Sequence, residues 1–286
     1  MKVAVASGKG GTGKTTVAVN LALAVDDAQL FDCDVEEPDC HLFLDGDVTT
    51  IEEITAFEPT IDPDRCDLCG ECADHCRYSA IVMTPEEPML FPELCRSCGL
   101  CSLTCPNDAI SEESKPIGNV ERGYHRSGSK SSESDAVPLY SGILATGELL
   151  VPPVIEAVQS HVDPDRPAII DAPPGNACAA MESIEGSDYC ILVTEPTPFG
   201  LHDLELSVEM LRKMDVPFGV VVNRADLGDN RVEEFCDEEG IPILMTIPDD
   251  RRIAELYSDG TPFVTEMPEW EREFSDLYGT IRELIS

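Results

Sequence analysis

Residues 7–16 read SGKGGTGKTT, and what stands on either side of them decides the fold. KVAVA (2–6) precedes the run and VAVNLALAV (17–25) follows it, so the order is apolar strand, glycine loop, helix. In that setting glycines let successive backbone N–H groups converge on phosphate oxygens, and the helix N-terminus adds a favourable dipole. Gly10, Gly11, Thr12, Gly13, Lys14, Thr15 and Thr16 are therefore the expected nucleotide-binding residues. Lys14 belongs on the β- and γ-phosphates and the Thr15 hydroxyl on Mg2+. A glycine turn that binds nothing is a weak rival, because loop, lysine and hydroxyl all stand at the required spacing. One lysine suffices for such a loop, and Lys9 is a second.

Outward from the loop, residues 1–56 and 116–286 continue the same alternation. QLFD (29–32), AIID (168–171), YCILVTE (189–195), FGVVVN (218–223) and PILMTIP (242–248) read as strands. Helical stretches lie between them at 14–25, 153–162, 201–214 and 230–239. Near-continuous apolar strands alternating with helices predict an α/β fold with a mostly parallel sheet covered on both faces. Carboxylates at the C-terminal ends of such strands, here Asp32, Asp34 and Asp171, sit where these sheets bind ligands. SGSKSSESD (127–135) is a polar segment with no assigned chemistry.

Residues 57–115 differ, being rich in Cys and Pro and short of helical periodicity. Cys66, Cys69, Gly70, Cys72, Cys76, Ala80 and Ile81 recur 29 positions later as Cys95, Cys98, Gly99, Cys101, Cys105, Ala109 and Ile110. Each run has the x2-x2-x3 spacing of a bacterial ferredoxin, in which the fourth cysteine ligates the other cluster. The expected quartets are thus Cys66, Cys69, Cys72 and Cys105 for one 4Fe–4S cluster, and Cys95, Cys98, Cys101 and Cys76 for a second. Zinc also takes thiolate quartets, but usually as two separated pairs, and the tandem runs favour cubanes. Arg77 follows Cys76 where proline is usual, whereas Pro106 follows Cys105. The expected organisation is an ATPase domain (1–56 plus 116–286) carrying an inserted ferredoxin domain (57–115). Of the thirteen cysteines, Cys33, Cys40, Cys190 and Cys236 read as small buried hydrophobes.

The 286 residues carry 19 basic against 56 acidic side chains, a net charge of −37. Such a surface disfavours nucleic acid and anionic membranes as partners. Only six of the basic residues are lysine, a pattern that points to a high-salt cytoplasm where screening relieves self-repulsion. No leader-like start and no apolar run of membrane-spanning length stand out, so a soluble, cytoplasmic protein is expected. EWEREFSDLYGTIRELI (269–285) sets Trp270, Phe274, Leu277, Ile281 and Leu284 on one helical face. Its flanking charges are mainly acidic, unlike an interfacial membrane helix, so it is expected to pack on the sheet.

GKGGTGKTT resembles the deviant Walker A loop of the MinD/ParA family of ATPases, which includes nitrogenase iron protein and Mrp-type iron–sulfur carriers. FDCD (31–34) resembles the family's switch I, IIDAPPG (169–175) its Walker B strand and switch II, and VVNR (221–224) its adenine-reading strand end. The resemblance implies that Asp34 positions the attacking water, that Asp32 and Asp171 serve Mg2+ directly or through water, and that Asn223 reads the adenine edge. It also implies that Lys9 reaches the partner's nucleotide across a two-fold homodimer. VEEPDCHLFL (35–44), GELLVPPVIEAV (147–158) and TEPTPFGLHDL (194–204) look like members of a group with an inserted two-cluster ferredoxin domain. Lys9, Lys14 and Asp34 are then the catalytic residues, with ATP, Mg2+ and two 4Fe–4S clusters as cofactors and a redox or cluster-accepting protein as partner. Cys178 follows Asp171 by seven residues, the spacing of a dimer-bridging cluster cysteine in nitrogenase iron protein, although a structural thiol is favoured. An Mrp-type carrier is the alternative function. Cargo positioning and ATP-dependent amidation fit less well, for want of a membrane signal and of a glutaminase domain.

Overall fold

The computed structural model describes residues 1–43, 47–125 and 136–286. SGSKSSESD (127–135) and Leu44, the last residue of VEEPDCHLFL, lie outside them. The chain runs β1 (Lys2–Ala6), α1 (Lys14–Ala24), β2 (Gln29–Asp32), β3 (Thr49–Ile61), α2 (Glu71–Asp74), β4 (Ile81–Met83), β5 (Pro88–Leu90) and α3 (Leu100–Thr104). Next come β6 (Ile110–His125), β7 (Val137–Leu144), α4 (Pro152–Ser160), β8 (Ala168–Asp171), α5 (Cys178–Ile184), β9 (Tyr189–Thr194) and α6 (Pro198–Met214). It ends with β10 (Phe218–Asn223), α7 (Arg231–Glu239), β11 (Ile243–Ile247), α8 (Arg251–Ser258), α9 (Phe263–Glu266) and α10 (Pro268–Leu284).

Nine strands form one sheet in the order β11-β10-β9-β1-β8-β2-β7-β6-β3. Every neighbouring pair from β11 to β7 is parallel, and only β6 runs against its two neighbours. Strand alternation feeds two cores. Ala4, Ile170, Leu192 and Val222 face a layer of α4, α5, α6 and α7. Val3, Val5, Ile169, Ile191 and Val221 face α1, α9 and α10. Burying side chains such as Ile170 and Leu21 stabilises by about 1.5–3 kcal/mol each, so both faces must stay covered.

Three features depart from the sequence reading. First, the expected insert boundaries at 57 and 115 fall inside continuous strands. Thr49–Ile61 and Ile110–His125 pair antiparallel from Thr49↔Arg122 to Ile61↔Ile110. The cysteine lobe therefore spans residues 62–109, at the far end of this ribbon. Much of the ribbon is solvent-exposed, so it lacks the apolar run that marks a strand. Glu52, Glu53 and Pro59 blunt its outer edge. Second, α10 packs chiefly on α1 and α9 and touches the sheet mainly at β11. Phe274, Leu277 and Ile281 are buried as the helical face predicts, but Leu284 is exposed and Trp270 lies edge-on to Phe263. Third, α5 was not foreseen, being only seven residues long. Among the described residues no helix is long and apolar enough to cross a membrane.

Candidate nucleotide site and cysteine lobe

The glycine loop joins β1 to α1 at the C-terminal edge of the sheet. Gly11 and Gly13 have φ of 79° and 90°, a left-handed backbone that a side chain would strain. Gly13 caps α1, whose first turn has neither a side-chain cap nor an acidic residue. Its leading N–H groups are thus free to meet an anion. Beyond Gly10 and Gly11 there is open space, and the buried Thr12 hydroxyl has no hydrogen-bond partner. These are the features a bound phosphate would use.

Three carboxylates converge behind Lys14 because β2 and β8 are parallel neighbours, with Asp32 opposite Asp171. Lys14 Nζ lies 2.7 Å from Asp171 Oδ1 and 3.7 Å from Asp34 Oδ2. Burial works against the Lys14 ammonium, but Asp171, with Asp34 and Asp32 behind it, outweighs that and holds the amine above its ordinary range. Thr15 Oγ1 donates to Asp171 Oδ2 at 2.7 Å. Asp34 is pushed up to about 6 by burial and by the Asp171, Asp39 and Glu37 charges, with Lys14 pulling the other way.

Asp32 has a local task as well. It accepts backbone N–H bonds from Asp34 at 3.2 Å, Asp39 at 3.1 Å and Cys40 at 3.0 Å, pinning the 33–40 loop to the end of β2. Burial and the Asp171 charge push its carboxyl well up. Cys40, read from sequence as a buried hydrophobe, is fully buried but among these acids, its Sγ 3.5 Å from Asp171 Oδ2. Burial and the neighbouring aspartates keep its thiol neutral. Asp32, Cys40 and Asp171 form a metal-type grouping whose ligand atoms lie within 4.8 Å of one another. No sequence spacing marks Cys40 for this place, since the folded loop brings it there.

Asn223, at the end of β10, donates to the Thr12 carbonyl at 2.8 Å and so braces the loop. It also lines a cleft of about 980 Å3, solvent mouth included, with Gly11, Gly13, Thr16, Tyr257 and Phe263. Lys9 meets a different acid from Lys14. Its Nζ lies 3.8 Å from Glu195 Oε2, while Glu195 Oε1 accepts from Arg224 Nη1 at 2.8 Å. The sequence reading gave Glu195 no role, although an acid just beyond a central strand is a usable signal. Cys178 is exposed at the start of α5, whereas Cys33, Cys190 and Cys236 are buried.

In the lobe the 29-residue repeat is written into the backbone. Leu68 and Ser97 (φ 62° and 52°), Gly70 and Gly99 (84° and 68°), and Ser79 and Asp108 (52° and 47°) are matched left-handed positions. Short helices α2 and α3 follow the two glycines. Ala80 N–H points to Cys76 Sγ at 3.3 Å, and Ala109 N–H to Cys105 Sγ at 3.2 Å. A cavity of about 460 Å3, mouth included, is lined by Cys76 from the first run and by Cys95, Cys98 and Cys101 from the second. Cys66 and Cys69 lie close enough to act electrostatically on Cys72.

Residues 3–263 match the CobQ/CobB/MinD/ParA nucleotide-binding domain model. The chain belongs to this family. An uncharacterised protein of Methanocaldococcus jannaschii is 28% identical, over 100% of this chain and 98% of its own length. The iron–sulfur cluster carrier protein of Pyrococcus furiosus is 27% identical, over 92% of this chain and 79% of its own. Among solved structures, the cell division ATPase MinD of P. furiosus shares the fold with a TM-score of 0.59 and 24% identity, covering 99% of this chain and 98% of that one.

Proposed function

We propose that this protein is a homodimeric Mg–ATPase whose cysteine lobe carries two 4Fe–4S clusters, and that its nucleotide state is coupled to electron transfer through them. The observation that carries the reading is the cavity joining Cys76 to Cys95, Cys98 and Cys101. A fourth cysteine crossing from the other run is the ferredoxin arrangement. Cys66, Cys69, Cys72 and Cys105 would hold the other cluster. Bound clusters supply one-electron chemistry. The Ala80 and Ala109 N–H groups, directed at thiolate sulfurs, are of the kind that tune it.

At the nucleotide, Lys14 leaves Asp171 to neutralise the β- and γ-phosphates, while the Thr15 hydroxyl and the freed Asp171 serve Mg2+. Asp32 holds the 33–40 loop and adds negative charge behind the metal. Asp34 orients the attacking water, and Asn223 contributes to the base cleft. Lys9, held by Glu195 in the single chain, is available to a partner once Arg224 keeps that glutamate neutralised. The ferredoxin lobe connects to this site through hydrogen-bonded structure. Leu144 N–H donates to Val35 O in the 33–40 loop at 2.8 Å, and Ala145 N–H to Ile117 O in β6 at 2.8 Å. Order imposed on that loop by ATP therefore bears on the strand leading to the lobe.

Redox titration followed by electron paramagnetic resonance, with and without Mg–ATP, tests the coupling. A coupling of about 1–3 kcal/mol is typical, and about 1.4 kcal/mol is a 59 mV shift for one electron. Superimposable titrations, with equal ATP affinity in both redox states, would leave two independent domains. The similarity to an iron–sulfur cluster carrier favours a second reading, delivery of clusters. Transfer of iron and sulfide to an apo-ferredoxin, faster with ATP, would select it.

Lys9 gives a sharper test of the dimer. Mixing Lys9→Ala with Asp34→Ala subunits should restore about one working site per mixed dimer if Lys9 acts in trans. If both residues serve the same chain, ATPase activity stays at the level of the separate variants.

A further inference from the structure

The two halves of the lobe repeat in backbone but not in charge. Above Gly70, between Cys69 and Cys72, lies the Met83 side chain; a Cβ built there would meet its Cγ at 3.8 Å. The repeat-related Gly99, between Cys98 and Cys101, has instead the carboxylate of Glu112, with Oε1 3.0 Å from the same built position. Ser102 Oγ, next to Cys101, lies 2.5 Å from that oxygen and 2.8 Å from the Gly99 carbonyl, so one hydroxyl ties the carboxylate to the Gly99 turn. The residue repeat-related to Ser102 is Ala73, which packs with Met83 against Cys72, Ile81 and Ile110. An apolar pair in one half is thus a hydrogen-bonded serine and carboxylate in the other. Glu112 lines the cavity of Cys76, Cys95, Cys98 and Cys101. Arg96 lines it too, but its guanidinium turns to the carbonyls of Glu93 and Cys95, each at 3.3 Å, and not to Glu112. The two charges therefore face one cavity without an ion pair between them among the described residues.

We propose that Glu112 makes the two clusters inequivalent, its fixed carboxylate lowering the reduction potential of the cluster held by Cys76, Cys95, Cys98 and Cys101, with Arg96 opposing it. This rests on the two-cluster reading above. Reduction adds an electron to a cluster already ringed by four thiolates, and a nearby anion disfavours the added charge while a cation favours it. Glu112 is exposed, so salt screens the effect without abolishing it. Met83 carries no charge and exerts no such effect on the other quartet.

The test is a redox titration of the anaerobically purified protein at low ionic strength, with iron content and the spectra of both clusters as controls. Glu112→Gln, which preserves the contact to Ser102, should raise the reduction equilibrium constant of one cluster about threefold to fivefold and leave the other unmoved. Threefold is about 28 mV at 59 mV per tenfold for one electron. Arg96→Gln should move that same cluster the opposite way. Glu112→Met, which installs the other half's residue, repeats the test should the amide disturb the lobe. Two intact clusters whose potentials are unchanged, or shift together, in both Glu112 variants would overturn the assignment. A wild-type protein without two clusters would instead refute the reading on which it stands.

Discussion

Lys14→Ala should abolish productive Mg–ATP binding, seen by calorimetry as a loss of more than about a hundredfold in affinity. The magnitude follows from the site's electrostatics. Lys14 is the buried cation facing Asp171, Asp34 and Asp32, and it must also meet the phosphates. Without it, a polyphosphate would approach three carboxylates with only Mg2+ and backbone dipoles in compensation. Removing one partner of a buried charge cluster typically costs about 3–5 kcal/mol, which exceeds two decades in affinity. Part of that penalty falls on the free protein, since the aspartates lose their counter-charge before any ligand arrives. A melting curve recorded beside the binding isotherm separates the two contributions. Asp34→Ala should behave differently: the Asp34 side chain meets Lys14 at 3.7 Å rather than supplying the loop's charge, so ATP should be retained and turnover lost. Wild-type affinity in Lys14→Ala would remove the loop from the nucleotide site altogether.

The second large effect is in metal content. Anaerobically purified protein should carry about eight irons per chain, four in each cubane. Cys69→Ala should lose or degrade one cluster, while Cys236→Ala, altering a fully buried thiol in the sheet-facing core, should leave iron unchanged. The crossing adds a discriminating pair. Cys76→Ala should damage the cluster that Cys98→Ala damages, since both residues line one cavity, although Cys76 is closer in sequence to Cys69. If Cys76→Ala instead copies Cys69→Ala, each run binds its own metal. Zinc in place of iron after anaerobic preparation would end the ferredoxin reading.

The nucleotide half of the molecule is legible in the chain because its signals are local. β8 and β9 are fully buried, β1 and β10 are buried except at their ends, and α1 is a helix of ordinary length. The loop residues Gly10 to Thr16 act through their own backbone and side chains. The repeat of 29 likewise reports a local geometry, and the matched left-handed positions of the lobe follow it. The ribbon of β3 and β6 escaped because its stability comes from pairing two distant segments, Thr49–Ile61 and Ile110–His125, each too polar to announce a strand. For the same reason the chain does not announce that strand pairing continues through residues 57 and 115 to Ile61 and Ile110.

By itself, then, the sequence determined which residue types stand at which spacings: a glycine-rich loop with two lysines, acids at strand ends, and eight cysteines in two matched runs. Only the tertiary structure decided what those residues face. It turned Lys14 onto Asp171 and Lys9 onto Glu195, carried Cys40 among the aspartates, made Asp32 the anchor of the 33–40 loop, and set Glu112 over Gly99 where the repeat has Met83 over Gly70. The physical reason is range. Backbone preference and hydrophobic period act over a few residues and can be read along the chain. Electrostatic partnership acts through a few ångströms of space, and chain separation, here 157 residues between Lys14 and Asp171, carries no information about it.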